Sequence, residues 1–214
     1  MATILLTGFE PFGGETVNPS WLIASALDGE TVGGAHVHAL RLPTEFRTSL
    51  RVLRAALRRH RPVLAVALGQ AGGRAELSVE RVAINVDDAR IPDNAGARPI
   101  DVPVVRGGPA AHFSTLPIKA IVAALRERGV PAAVSQTAGT FVCNHVFYAL
   151  QHALAGTRVR SGFVHVPWLP EQAGAWPGAP ALPLETMVIG VREVLRVAMT
   201  HRGPDLREGG GAVD

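Results

Sequence analysis

The sequence predicts an α/β protein, a sheet covered on both faces by helices. Two observations carry that expectation. Apolar runs of strand length recur along the 214-residue chain, and longer stretches with helical periodicity fall between them. Runs that are apolar throughout suit strands buried on both faces. A chain of this length can bury a core that needs no disulfide or metal staple, and residues 1–202 are expected to form one domain.

Thr3 to Thr7 is the first strand-like run, and Pro19 to Leu27 the first helix, with Asn18 as N-cap and Pro19 at the first helical position. Val37 to Leu42 is a second strand. Phe46 to His60 is amphipathic, with Leu50, Leu53 and Leu57 on one face and arginines on the other. Val63 to Leu68 is a third strand. Between Glu76 and Asp101 the pattern breaks: Val82, Ile84 and Val86 alternate with small or polar residues before Pro92-Asp-Asn94, which predicts a strand or hairpin excursion beside the sheet. Ile118 to Arg128 is helical, Ala132 to Ser135 a strand, Cys143 to Leu154 a helix and Gly162 to Val166 the last strand. Pro170 to Pro183, rich in proline, glycine and alanine, predicts a surface loop. Leu184 to His201 is the final helix, and the glycine-rich residues 203–214 a disordered tail.

Composition narrows the chemistry. One cysteine permits no internal disulfide and no thiolate metal framework. No signal-like or membrane-length apolar run is present, which predicts a cytoplasmic protein. Lys119 is the only lysine, on a helical stretch where a solvated charge is expected, so lysine-based covalent catalysis has little to draw on. The formal net charge is +3, and the arginine-rich helix lacks interleaved aromatics, so nucleic acid is not the expected partner. No metal or organic cofactor is expected.

Ligands of open α/β sheets bind beyond the carboxyl ends of the strands, which directs attention to the loops there. Gly8-Phe-Glu-Pro-Phe-Gly-Gly14 fits neither the dinucleotide nor the P-loop spacing, and its phenylalanines suit an apolar wall. Gly69-Gln-Ala-Gly-Gly-Arg74 is a second loop that backbone can bring close to a ligand. Cys143 opens a helix, where free N–H groups and the helix dipole favour thiolate and can hold an oxyanion. That makes it a candidate nucleophile. Among eight histidines, His165 ends an apolar strand and is delivered to the sheet edge, whereas His145 lies on a different helix face from Cys143. The carboxylate that would orient the imidazole is open among Glu80, Asp87, Asp88 and Asp93, with Arg90 in the same segment.

Taken together, Thr7-Gly-Phe-Glu-Pro-Phe-Gly-Gly14 with Asn18-Pro-Ser20, Glu80-Arg-Val-Ala-Ile-Asn85, Asp88-Ala-Arg-Ile-Pro-Asp-Asn94, Thr137-Ala-Gly-Thr-Phe-Val-Cys-Asn144 and Phe163-Val-His-Val-Pro-Trp-Leu-Pro170 strongly resemble the pyroglutamyl peptidase I family of cysteine peptidases. The resemblance implies a three-layer α/β/α sandwich with a central, mostly parallel sheet, and a homotetramer acting on N-terminally pyroglutamylated peptides. It implies a triad of Cys143, His165 and Glu80, with Arg90 and the Cys143 N–H at the oxyanion. Pocket walls fall to Phe9, Phe12, Thr44, Ile91, Phe141 and Val142, and lactam hydrogen bonds to Asn18 and the backbone around Gln70. Trp168 departs from the family pattern, where tyrosine is more usual. The rival classes are a nucleoside phosphorylase-like enzyme, which would need phosphate, and an inactive binding module.

Overall fold

Alternation of side chains decides which way each strand faces, and a computed structural model describes the outcome for residues 2–174 and 177–211. In chain order the elements are β1 (Thr3–Phe9), α1 (Pro19–Ala26), β2 (Thr31–Val32), β3 (Ala35–Leu42), α2 (Phe46–His60), β4 (Leu64–Gln70), β5 (Leu77–Glu80), β6 (Val82–Ile84), β7 (Ala111–Phe113), α3 (Ile118–Glu127), β8 (Ala132–Ser135), α4 (Val142–Leu154), β9 (Arg160–Val166), α5 (Pro170–Ala173) and α6 (Leu184–Thr200). The main sheet has seven strands in the order β2-β3-β1-β4-β9-β5-β8. β3, β1, β4 and β9 run parallel, β2 pairs antiparallel at one edge, and β5 and β8 run together against β9.

Successive residues of a strand face opposite layers. On β4, Leu64, Val66 and Leu68 join one core with α1, α3 and α6, while Ala65 and Ala67 join the other with α2 and α4. The α/β/α layering expected from the alternating pattern is therefore present, and the sheet is mixed.

Three expectations need correction. The segment from Glu76 to Asp101 does not lie wholly beside the sheet, because β5 is inserted between β9 and β8; only β6, paired with β7, forms a separate small ladder. The tail is also not free over 203–211. Asp205 accepts from the backbone N–H groups of Lys119 (2.9 Å) and Ala120 (3.0 Å), and so caps α3, whose own cap residue Pro117 makes no side-chain bond. Lys119 Nζ bonds the Glu208 carbonyl and Gln136 the Gly210 carbonyl, so Lys119 anchors the tail rather than standing solvated. Residues 212–214 lie outside the described residues. The expected surface loop after Pro170 begins with the short α5 and ends in a bridge from Ala181 to Trp168; residues 175 and 176 within it are not described.

Among the described residues no helix is long and apolar enough to cross a membrane, and no group of three or more His, Cys, Asp or Glu residues could hold a metal ion.

Candidate active site

Strand parity gathers the reactive side chains on one face. Phe163 of β9 belongs to the α2–α4 layer and Val164 to the other, so His165 faces the α2–α4 layer. Leu77 and Val79 of β5 face the α1–α3–α6 layer, which turns Ser78 and Glu80 toward His165. Ser78 lies directly opposite His165 in the antiparallel pairing, and Glu80 reaches diagonally: the His165 Nδ1–H donates to Glu80 Oε1 at 2.7 Å. Glu80 has no exposure, and His165 is 4% exposed.

The thiol comes to the same face from above. Gly69 of β4 pairs with His165, and a Cβ added at Gly69 would stand 2.7 Å from Cys143 Sγ and 2.7 Å from Phe163 Cζ. The sulfur thus occupies room that only glycine leaves, beside the position of the imidazole. Cys143 is the second residue of α4, where a backbone N–H has no carbonyl partner within the helix. Asn144, fully buried, fixes this end of α4 to the β6 segment: its side chain accepts from Ile84 N at 3.0 Å and donates to the carbonyls of Ile84 (2.9 Å) and Val86 (3.0 Å). His145 points elsewhere, onto Asp87 at 2.8 Å, as its spacing from Cys143 predicts. Asp93 also has a structural task, accepting from Phe46 N at 2.9 Å at the start of α2.

Electrostatics run against one expectation, the thiolate at Cys143. Burial pushes the Cys143 thiol up to about 12, the charge of Glu80 adds to the rise, and Arg74 opposes it. Burial and the charge of Glu80 act against the thiolate that a helix N-terminus favours, at a thiol that keeps partial exposure. Burial also holds His165 below its ordinary range, against the pull of Glu80. Both shifts favour a resting pair of neutral thiol and neutral imidazole, with Nδ1 committed to Glu80 and Nε2 left as proton acceptor. Iodoacetamide is therefore expected to alkylate Cys143 at a rate that keeps rising above about pH 8.5, the midpoint of an ordinary thiol. A plateau reached below that pH in the free enzyme would contradict the neutral resting pair.

The other expected site residues divide between rim and support. Arg90 is exposed and lines, with Asp88, Ile91, Thr140 and Phe141, a hollow of about 280 Å³. Phe12 packs on Phe141 at 6.0 Å between ring centroids. Val142 and Phe9 are buried, and Phe9 packs at 6.5 Å on Phe163, whose ring lies 4.8 Å from that of His165. Phe9 thus backs the site from the core. Asn18 and Thr44 both donate to the Glu10 carbonyl, at 3.0 and 2.9 Å, while Asn18 Oδ1 caps α1 by accepting from Ser20 N. That shared carbonyl ties the loop after β1 to the loop after β3. Gln70 accepts from Gln172 at 3.1 Å. Sequence reasoning missed two contributors, Gly69 and Arg74. Their one available signal was the glycine-rich loop that ends β4.

A family model described as pyroglutamyl peptidase matches residues 2–201. A pyrrolidone-carboxylate peptidase of Chromobacterium violaceum is 61% identical over 210 residues, covering 98% of this chain and 99% of the relative. One from Erwinia tasmaniensis is 57% identical over 212 residues, covering 99% of each. Among solved structures, pyroglutamyl peptidase I of Bacillus amyloliquefaciens superposes with a TM-score of 0.93 at 46% identity, covering 97% of this chain and 99% of that one. A mutant pyrrolidone carboxyl peptidase of Pyrococcus furiosus gives 0.89 at 43% identity, covering 92% and 98%.

Proposed function

The chain belongs to the pyroglutamyl peptidase family and hydrolyses the amide bond that follows an N-terminal pyroglutamate; we propose that Cys143 is the nucleophile, His165 the acid–base and Glu80 the orienting carboxylate. The observation that supports this assignment is the Glu80–His165 hydrogen bond, lying on the sheet face where the thiol is seated over Gly69.

His165 Nε2 takes the thiol proton as sulfur attacks the scissile carbonyl, forming a C–S bond and an oxyanion. The Cys143 N–H and the Arg90 guanidinium stabilise that oxygen, each such donor contributing roughly 10²-fold or more to turnover. The imidazolium, held by Glu80, then protonates the departing amine as the C–N bond breaks. His165 next removes a proton from water, which attacks the thioester and releases pyroglutamate, and the proton returns to sulfur. Every proton is accounted for by the thiol, the imidazole and water.

Specificity follows from what the pocket refuses. Pyroglutamate carries no ammonium group, and its flat lactam suits walls of Phe12, Phe141 and Ile91, with lactam hydrogen bonds at Asn18 and the backbone around Gln70. Thr44, Phe9 and Val142 complete or back those walls. An ordinary N-terminal residue would bring an unpaired charge into this setting at a cost of several kcal/mol. The purified protein is expected to release aminomethylcoumarin from its pyroglutamyl amide, without added phosphate, at least about 10⁴-fold faster than from its prolyl amide. Comparable rates on the two amides would overturn the substrate assignment, and a phosphate requirement would favour the phosphorylase-like reading.

We further propose a homotetramer in the cytoplasm. The tetramer is what the sequence resemblance implies, and a reactive lone thiol is best preserved in a reducing compartment.

A further inference from the structure

A fully buried carboxylate needs a permanent countercharge, and the one Glu80 has is not supplied by the histidine. Glu80 Oε1 accepts from two donors at once, His165 Nδ1 at 2.7 Å and Arg74 Nη1 at 2.8 Å. The second arm of the Arg74 fork, Nη2, donates to the Thr137 carbonyl at 3.0 Å. Thr137 belongs to the loop that leads from β8 to Phe141 and Cys143. One side chain therefore ties the carboxylate behind the imidazole to the segment that delivers the thiol. We propose that Arg74 is a positioning residue of the hydrolysis: one arm of its guanidinium aligns Glu80 with His165 while the other sets the loop that carries Cys143.

The inference rests on the reading of Cys143, His165 and Glu80 as the reacting set, and charge balance supports it. Glu80 can be neutralised in the dry interior by an imidazolium or by the guanidinium. Were it the imidazolium, His165 would hold a proton at rest and have no lone pair for the thiol. Arginine stays charged at every working pH, so Arg74 satisfies Glu80 and leaves His165 neutral. The charged groups acting on His165 and on Cys143 are the same two, Glu80 and Arg74, with opposite signs. Packing holds the Arg74 turn from the other side. A Cβ at Gly72 would fall 2.2 Å from Trp168 Cζ2, so the indole that follows β9 lies directly on the turn that presents Arg74. Gly73, with φ of +85°, completes that turn.

A fork with two nitrogens in a fixed plane can serve both acceptors, whereas an ammonium is a single point. The test compares full-length Arg74→Met and Arg74→Lys with the wild type, reading kcat, KM and the pH dependence of kcat/KM on the pyroglutamyl coumarin amide. The Met variant is expected to lose about 10²-fold in kcat with KM nearly unchanged. Its acid limb should move up by about one pH unit, because the lost cation no longer opposes protonation of His165. The Lys variant keeps the charge and should restore the acid limb while recovering kcat only in part. Wild-type kcat in the Lys variant, an unmoved acid limb in the Met variant, or a loss confined to KM would each overturn the proposal. If Arg74→Met does not fold, the Lys comparison alone still decides the fork. Mass spectrometry of wild-type protein treated with a pyroglutamyl chloromethyl ketone separates the two readings, since label elsewhere than on Cys143 sinks the reacting set whatever Arg74 does.

Discussion

Cys143→Ala is expected to abolish release of coumarin from the pyroglutamyl amide while leaving the fold intact. Removing an essential nucleophile from a hydrolase that uses a histidine base typically costs on the order of 10⁶-fold in kcat, which carries turnover below detection. The structural price is small, because the lost sulfur lies over Gly69 at the rim of the core and its burial is worth about 1 kcal/mol. Circular dichroism and the thermal midpoint should therefore stay close to wild type. Binding of pyroglutamate should also survive, because the walls proposed for the lactam, Phe12, Phe141 and Ile91, do not include Cys143. Turnover retained above about 1% of wild type would remove Cys143 from the mechanism.

The parts of the molecule that were legible in the sequence are those whose signal is local. β1, β4 and β9 are continuous apolar runs because both of their faces are covered, and α2 shows its buried stripe at helical spacing. β5 was missed for a physical reason: in Leu77–Glu80 one face is core and the other carries Ser78 and Glu80 toward the site, so a fully buried strand reads as polar. The tail was misread because glycine content describes its backbone and not Asp205, which caps a helix more than eighty residues earlier in the chain. Cys143 and His165 stood out by their positions on elements. Glu80 did not, since spacing cannot tell which of several acids meets an imidazole, and the family resemblance supplied the choice. The charge state of the thiol was also out of reach. A helix N-terminus is visible in sequence, but a carboxylate folded beneath it from another strand is not.

Glu80→Gln should separate orientation from charge at His165. Glutamine keeps the size of the side chain and its Oε1 can still accept from Nδ1–H, so a modest effect would follow if position alone mattered. Charge matters more here, because the imidazolium formed during attack lies in an interior where the facing charges are Glu80 and Arg74. With the carboxylate gone, the half-buried guanidinium of Arg74 is left near a forming imidazolium without the anion that both had shared. The amide can also rotate to present its NH₂, which selects the tautomer with the proton on Nε2 and removes the base. A loss of about 10³- to 10⁴-fold in kcat is expected. The sign of the accompanying pH shift discriminates further. Glu80 raises the proton affinity of His165 and Arg74 lowers it, so Glu80→Gln should carry the acid limb of kcat/KM to lower pH, opposite to Arg74→Met. Opposite displacements would mark the two residues as antagonists acting on one imidazole. Displacement of both in the same direction would mean that the acid limb reports some group other than His165.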